Sequence, residues 1–359
     1  MHFEQISPTE FREYADNSPY KSFMQTPEIA QYREQNGWTA YYFAVKDSDG
    51  KILAATMAVA KPTFLGKSTF VTPGGPLLDF ENTELTTFFF KHLKSYLKSH
   101  NGYTLHIDPY YELVQRDRGG EIVPDGFNHK KALRNLKSLG FTPVDSTQPK
   151  YLFCLDLQNR TPDQLFADMK RNTRNHIRKA EKMGVQVREL KREELNIFKQ
   201  ITESTSHRRH FADRPLSYYE QMYDLFHAKG EVQFLVAEAD NIPLSAAMFI
   251  TYGDEVIYLF SGSDEKYMKD YNAQYLIQWH MIKYALEHKF KTYNFYGIQG
   301  LPDKSSKDYG VYDFKKGFTS ETTGRVVELI GSYALSVNHN FYYLHQALSA
   351  LKTKIRRPH

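Results

Sequence analysis

One cysteine in 359 residues excludes an internal disulfide and a cysteine-based metal cluster. That residue, Cys154, lies in the apolar run Tyr151-Leu152-Phe153-Cys154-Leu155 and reads as a buried, inert thiol. No apolar stretch approaches the roughly 20 residues that span a bilayer. The start, Met1-His2-Phe3-Glu4, lacks a basic flank followed by an apolar core, so no secretory signal is expected and the chain reads as cytoplasmic. The net charge is only +4, too small by itself to mark a nucleic-acid binder. Neither a Ser-His-Asp arrangement nor a His-x-x-x-His pair stands out. His207 and His210 are three apart beside Asp213, but no third ligand lies nearby, so no metal site is expected. No low-complexity linker interrupts the chain, and its parts are expected to pack rigidly.

What is present is aromatic. Phe, Trp and Tyr make up 15% of the chain, with 26 Tyr and 25 Phe. Much of this is core, but the tyrosine surplus suits a polar groove that reads a sugar, base or peptide. The length allows two domains, each with its own core. The middle of the chain repeats its beginning. Phe43, Val45, Asp49, Gly50, Leu53, Ala55 and Met57 have counterparts 191 residues later in Phe234, Val236, Asp240, Asn241, Leu244, Ala246 and Met248. Each copy is an alternating run, an acidic turn and a second apolar run, the pattern of a β-hairpin. A register kept over that distance implies a duplicated domain. Two similar domains side by side would make a cleft, where large substrates bind.

Periodicity and punctuation place the other elements. Helices are expected in two pieces over 8–35, then over 83–99, 129–140, 192–205, 215–229 and 272–288. One long helix is expected over 162–183, capped by Thr161 and Pro162 and stopped by Gly184. Strands are expected at 39–46, 52–60, 68–72, 103–109, 150–156, 232–238, 244–251, 255–261 and 292–296. Residues 297–310 read as a loop and about 338–355 as an amphipathic helix. The pattern gives a mixed α/β (α+β) sheet in each half. The first domain is expected over 1–148, completed by a C-terminal helix at about 335–359, and the second over 149–334. In that last helix Leu344, Leu348 and Leu351 read as a docking face onto the first domain. Its basic end makes a peripheral membrane contact the alternative.

Between Lys170 and Arg192 nine Lys/Arg face only Glu181 and Glu189, a local balance of +7. Phe166, Met169, Thr173, Ile177 and Ala180 form the stripe expected to be buried, so Lys170, Arg174, Arg178 and Lys182 share an exposed side. No carboxylates stand at i+4 to offset them. A solvated helix face is the bland reading; an RNA phosphate backbone is the other.

Several blocks together are similar to the Fem (FemXAB-type) peptidoglycan interpeptide-bridge transferases. They are Asn172-Thr173-Arg174-Asn175-His176-Ile177-Arg178-Lys179-Ala180 with Gly184-Val185, Gly75-Pro76-Leu77-Leu78-Asp79, and Ile107-Asp108-Pro109. Further blocks are Thr205-Ser206-His207-Arg208-Arg209-His210-Phe211, Tyr258-Leu259-Phe260-Ser261-Gly262-Ser263, Asn294-Phe295-Tyr296-Gly297-Ile298 and Tyr312-Asp313-Phe314-Lys315-Lys316-Gly317-Phe318. They occur in family order and cover nearly the whole chain. The resemblance implies two tandem acetyltransferase-like (GNAT-type) domains and transfer of an amino acid from aminoacyl-tRNA to the stem-peptide amine of a cell-wall precursor. Helix 192–205 runs directly into the Arg208 block without a long heptad insert. This resembles the compact form, which lacks the coiled-coil arm and whose acceptor is UDP-MurNAc-pentapeptide; a lipid-linked acceptor stays open.

The resemblance also implies roles. Lys315, after Phe314 in a loop, would stand near the reacting ester and stabilise its oxyanion. A surface lysine is the alternative. Arg208, with Ser206 beside it, would hold substrate phosphate through a planar fork, or else make a helix-end salt bridge. Arg209 and Arg214 are near enough in sequence to substitute. Arg33 stands where the compact form has a phosphate-gripping lysine. Tyr258 and Phe260 match a Tyr-x-Tyr pair, and Phe260 cannot supply the second hydroxyl. Asp108 would orient the incoming amine or act as a base, or is simply an Asp-Pro turn former. Glu328 takes the corresponding acidic position after the lysine. Gly75 and Pro76 would wall the acceptor cleft or form an ordinary turn. Lys170, Arg171, Arg174, Arg178, Lys179 and Lys182 are the expected tRNA contacts. No cofactor is expected beyond aminoacyl-tRNA as co-substrate, and a monomer is expected.

Two other functions fit less of the sequence. An acyl-CoA N-acyltransferase of the same fold needs a glycine-rich pyrophosphate turn, and Lys269-Asp270-Tyr271-Asn272-Ala273-Gln274 lacks both glycines. A non-enzymatic RNA-binding protein leaves the duplication and the Phe314-Lys315 motif unused. The amino acid transferred is not legible.

Overall fold

The computed structural model describes residues 1–146, 148–209, 212–306 and 308–342, with the side chain of Phe64 excepted. The chain divides into two compact units. One contains Met1–Val114, Phe127–Gln148 and the segment from Leu329 onward; the other contains Gln115–Gly126 and Pro149–Glu328.

In chain order the first unit begins β1 (His2–Gln5), α1 (Pro8–Asn17), α2 (Pro27–Gln35), β2 (Thr39–Lys46), β3 (Ile52–Pro62) and β4 (Ser68–Gly74). It continues α3 (Thr83–Ser99), β5 (Gly102–Pro109), β6 (Glu112–Gln115), α4 (Lys130–Ser138) and β7 (Thr142–Pro143). Three of its helices, α1, α2 and α3, start where side-chain oxygens replace missing helix partners. Ser7 accepts from Glu10 N–H, Thr26 from Ile29 N–H and Asn82 from Leu85 N–H.

The second unit holds β8 (Tyr151–Asp156), α5 (Pro162–Asp168), α6 (Arg171–Lys182), β9 (Gln186–Glu189), α7 (Leu195–Arg209), α8 (Leu216–Phe226), β10 (Val232–Ala239) and β11 (Ile242–Tyr252). There follow β12 (Glu255–Ser263), α9 (Glu265–Tyr271), α10 (Ala273–Glu287), β13 (Thr292–Ile298), α11 (Tyr309–Lys316) and β14 (Gly324–Leu329). The last strand, β15 (Tyr333–Ser336), returns to the first unit.

The repeat is a repeat of topology. The first sheet runs β1-β2-β3-β4-β5-β15-β7, and the second unit's own strands run β9-β10-β11-β12-β13-β8-β14. In both, the fourth and fifth strands are parallel neighbours joined by a long helix, α3 or α10. The two hairpins turn differently. Asp47 Oδ1 accepts from Asp49 N–H and Lys51 N–H across the first. In the second, Asp240 and Asn241 both have positive φ, 50° and 61°, as a two-residue type I′ turn requires.

Each unit has its own core. In the first, Phe43, Phe70, Leu105 and Ile107 of the sheet meet Phe89, Phe90 and Leu93 of α3. In the second, Phe153, Leu155, Phe249 and Tyr293 meet Ile177 and Ala180 of α6 and Ile277 and Ile282 of α10. Burying each such side chain is worth about 1.5–3 kcal/mol, which makes the two sheets the rigid frames of the molecule.

Three expectations need correction. The helix expected over 162–183 is two helices. Met169 is extended (φ −65°, ψ 152°), and the Lys170 N–H bonds outward to Gly317 O at 2.9 Å. Lys315, expected in a loop, lies in the last turn of α11, which breaks the expected 297–310 loop from Tyr309 onward. The helix expected from about 335 begins later, because Tyr333–Ser336 pairs with Thr104–Ile107 as a strand; helical residues start at His339. Leu344, Leu348 and Leu351 lie outside the described residues.

Candidate active site

In the second unit the sheet opens where the parallel pair β12–β13 ends. β12 and β13 pair only at Glu255↔Thr292, Val256↔Tyr293 and Ile257↔Asn294, yet both strands continue. Irregularities flank the opening on both sides, between Met248 and Phe249 in the β11–β12 ladder and between Asn294 and Gly297 in the β13–β8 ladder. Beyond Ile257 and Asn294 the two strands no longer pair with each other. The bulge in β13 has a local cause. Asn294 Oδ1 accepts from Tyr296 N–H at 2.8 Å, and Tyr296 takes φ +64°, a conformation costly for a tyrosine.

This bulge presents the Gly297 carbonyl, which accepts from Lys315 Nζ at 2.5 Å. Lys315 is 5% exposed. Burial pushes its ammonium down to about 7, with the Cys154 thiol opposing weakly. A lysine held at that value exists half as amine and half as ammonium near neutrality, so it can take or give a proton as well as hold an oxyanion. Phe314 packs its ring against Tyr275 at 5.0 Å and Phe318 at 5.3 Å, which fixes the turn bearing Lys315. Tyr258, the first residue past the paired segment, donates to Ser261 Oγ at 2.5 Å, and burial raises its phenol to about 12. Phe260 packs edge-on against both Tyr218 and Tyr219, at 5.8 and 5.9 Å, in a cluster of three rings.

The Arg208 block ends α7. Ser206 is buried and donates to Glu203 O within its own helix, while Thr205 Oγ1 accepts from the Ser263 N–H of β12. Arg208 Nη1 is buried with no hydrogen-bond partner, an orphaned donor suited to an anion. Arg214 instead stacks on Tyr218. His210 lies outside the described residues, and the described residues hold no cluster suited to a metal ion. Glu328 is engaged: Arg116 Nη2 lies 2.6 Å and Lys150 Nζ 3.1 Å from its carboxylate.

The first unit holds a separate group. Asp108 Oδ1 accepts from the Gly74 N–H at 2.8 Å. Burial pushes its carboxyl up to about 7, against the lowering effects of that N–H and the Arg33 charge. Arg33 stacks over Trp38 at 5.3 Å, and its Nε is buried without a partner. Gly75 and Pro76 are themselves buried. A Cβ on Gly75 would come within 2.5 Å of Gln25, whose amide ties Met57 to Pro73. Gly75 is thus required by close packing, and Gln25 is the residue that sequence patterns missed.

The basic segment is less bare than its sequence. Lys170 pairs with Asp313 at 2.5 Å, Arg188 with Glu238 and Glu194, and Arg192 with Asp224. The expectation of a uniformly unpartnered face is corrected, because carboxylates distant in sequence neutralise three of the nine charges. Arg174 turns back to the Ala167 and Met169 carbonyls, and Arg178 lies over Phe166. Arg171, Lys179 and Lys182 remain exposed with Arg178 on α6. The stripe beneath is as the periodicity requires: Met169, Thr173, Ile177 and Ala180 are buried, with Phe166 partly so. Because Lys170 bonds both Asp313 and Gly317 O, this basic helix begins directly against the turn that carries Lys315.

Arg118 was also not singled out by sequence. It is buried, its Nη2 donates to Lys316 O at 3.0 Å and its backbone carbonyl accepts from Tyr312 OH at 2.9 Å. It therefore grips α11 from the Gln115–Gly126 segment. Gln278 carried a readable signal, an amide inside the apolar run Leu276-Ile277-Gln278-Trp279.

Comparison with known proteins agrees with this architecture. The chain is 28% identical to the aminoacyltransferase FemA of Staphylococcus aureus over 426 aligned positions, covering 99% of this chain and 100% of the relative. That alignment is longer than the 359 residues here, so the relative carries residues that this chain lacks. Among solved structures, FemX superposes with a TM-score of 0.81 at 23% identity, over 96% of this chain and 99% of its own. A tandem GNAT protein from the clavulanic acid biosynthesis pathway gives 0.55 at 11% identity, over 94% and 98%. The fold is therefore two tandem GNAT-like units. The FemAB family model matches residues 6–241 and 233–350, and the chain belongs to the FemAB family.

Proposed function

We propose that this protein is a tRNA-dependent aminoacyltransferase of peptidoglycan bridge synthesis, moving an amino acid from aminoacyl-tRNA to the stem-peptide amine of a cell-wall precursor. The full-length kinship with aminoacyltransferases supports the reaction class. The observation that carries the site assignment is the buried Lys315 on Gly297 O, where β12 and β13 no longer pair and against the basic helix α6.

The chemistry needs little else. The acceptor amine attacks the ester carbonyl; a C–N bond forms, the C–O bond to the tRNA ribose breaks, and one proton passes from the amine to the departing hydroxyl. Lys315, as free amine, accepts that proton and, as ammonium, hydrogen-bonds the oxyanion and returns it. The activated ester makes a covalent enzyme intermediate unnecessary. In this reading Arg171, Arg178, Lys179 and Lys182 guide the RNA, and Arg208 meets a phosphate through its orphaned Nη1. Arg33 and Asp108 belong to the acceptor side. The soluble nucleotide precursor, UDP-MurNAc-pentapeptide, is the preferred acceptor, with no resident cofactor and a monomeric protein. The short α7–α8 connection, without an inserted arm, supports the compact form.

The test combines purified protein, UDP-MurNAc-pentapeptide, total tRNA, synthetases and amino acids supplied singly, with the product read by mass. A gain of one residue, lost with RNase and with Lys315→Ala, is expected. No gain with either the nucleotide or a lipid-linked acceptor, together with a product from acyl-CoA, would replace this reading.

A further inference from the structure

The hairpin that joins β3 to β4 ends in an apolar tip. Its turn reads Thr63-Phe64-Leu65-Gly66-Lys67, and Leu65 is 73% exposed, the most of any large apolar residue among the described residues. Leu65 also takes φ +57°, in the left-handed region that suits glycine or asparagine and that a leucine avoids. The turn is closed by its own groups, since the Thr63 N–H and the Thr63 hydroxyl both donate to the Lys67 carbonyl at 2.7 Å. A Cβ built on Gly66 would meet nothing within 4 Å. The backbone therefore holds a leucine out into open space.

The surroundings carry charge of one sign. Ser68 N–H donates to Asn101 O at 3.0 Å, which sets the foot of the hairpin beside the end of α3. That helix carries Lys91, Lys94 and Lys98 at spacings of three and four, along one side. Segments 61–69 and 91–107 together hold five lysines and no Asp or Glu. Lys67 Nζ donates to Asn101 Oδ1 at 3.3 Å and Lys61 lies 5.3 Å over the Trp38 ring, so what holds them does not neutralise them. Glu34 of α2 is the acid near this end, and it accepts from the Ala40 N–H. Trp38, half-buried, stands at the hairpin's foot, just before the Thr39↔Ala60 pair.

One hairpin tip is far smaller than the roughly 800 Å² per partner of a stable protein interface. A protruding leucine, a tryptophan behind it and a rim of lysines suit the boundary of an anionic bilayer instead. There the apolar tip enters the acyl region, the indole lies at headgroup depth and the lysines meet lipid phosphates. We propose that the β3–β4 tip docks this protein on an anionic lipid surface, with Leu65 inserted and Lys61, Lys67, Lys94 and Lys98 against the headgroups. The contact is separate from the basic C-terminal tail and does not depend on the transferase reading.

The experiment mixes the full chain with vesicles of phosphatidylcholine alone or of phosphatidylcholine with phosphatidylglycerol. Bound protein is measured by sedimentation and by the emission of Trp38, the other tryptophan, Trp279, being buried. The wild type is expected to bind only the anionic vesicles, to shift its emission to shorter wavelength, and to be released as salt rises. Leu65→Asn, which suits the same backbone, should weaken binding about tenfold. Lys94→Gln with Lys98→Gln should weaken it more than about tenfold and flatten its salt dependence. Both variants should keep the wild-type melting temperature and the wild-type rate with a nucleotide acceptor in solution. No binding to anionic vesicles would overturn the inference. So would binding that Leu65→Asn leaves unchanged, because the contact would then lie elsewhere on the chain. A wild type that binds vesicles but transfers no amino acid would instead count against the transferase reading alone.

Discussion

Lys315→Met separates stability from activity in a way the structure quantifies. The side chain is kept at similar length, but the buried amine is removed. Burial brings the ammonium from 10.5 down to about 7. The unfolded chain therefore binds more protons than the folded one between those values, so folding stability rises as pH rises from about 7 toward 10.5. Below that window the folded state carries the whole penalty of a buried cation, on the order of 5 kcal/mol. Methionine removes the penalty but leaves the Gly297 carbonyl unpaired, at about 1–3 kcal/mol. The expected net result at pH 7 is a second unit more stable by about 2 kcal/mol, although transfer is lost. The advantage should shrink and reverse by about pH 10. Urea unfolding of both proteins at intervals from pH 6 to 10, followed by tryptophan fluorescence (Trp279 belongs to this unit), gives the curve. A difference between the two proteins that does not change with pH would refute a titrating lysine at this position.

Other consequences are equally direct. Asp108 has a folded value near 7, above its unfolded 3.8, so its ionisation destabilises the first unit as pH rises through that window. Asp108→Asn should stabilise that unit above pH 7 and change nothing below pH 4, read by melts over pH, while a rate limb near 7 from Lys315 should remain. Reversing Arg171, Arg178 and Lys182 to Glu should weaken tRNA binding more than tenfold at about 0.1 M salt and flatten its salt dependence, with precursor binding intact by calorimetry. Arg118→Met should cost about 1–3 kcal/mol in urea unfolding, by freeing Lys316 O, and lower kcat without altering RNA affinity; Arg118→Lys should recover part of both.

The hairpins, the two long crossover helices and the buried stripe of α6 were legible because each is a local pattern of period 2 or 3.6. The break at Met169 was not, since the Lys170 N–H leaves its own helix for Gly317, a partner far along the chain. The same limit applies to charge. Lys170 reads as unpartnered until folding brings Asp313 beside it. The short strands β7, β9 and β15 carry too few residues to show alternation, and their pairing is decided by open sheet edges. Motifs singled out Phe314, Lys315, Asp108 and Arg208 as candidates. They did not reveal that burial holds both Lys315 and Asp108 near 7, because desolvation depends on what folds over a residue. Glu328, read as a catalytic acid, is bound by Arg116 from a segment outside its local sequence.

The return of β15 to the first sheet makes synthesis order matter. Strand β7 pairs only with β15 among the described residues, and β5 has β15 as its outer neighbour. A ribosome that has released residues 1–148 has not yet made the strand that closes that sheet. The nascent first unit must wait, with the apolar edge of Leu105 and Ile107 open, while the complete second unit is translated and free to fold. Expressing the halves separately should therefore be asymmetric: residues 149–328 lose the terminal strand β6 beside β14 and the Gln115–Gly126 segment but keep the seven strands β8–β14, whereas residues 1–148 lose β15 from between β5 and β7 and will tend to aggregate. The unit whose synthesis begins first is thus the one whose sheet closes last.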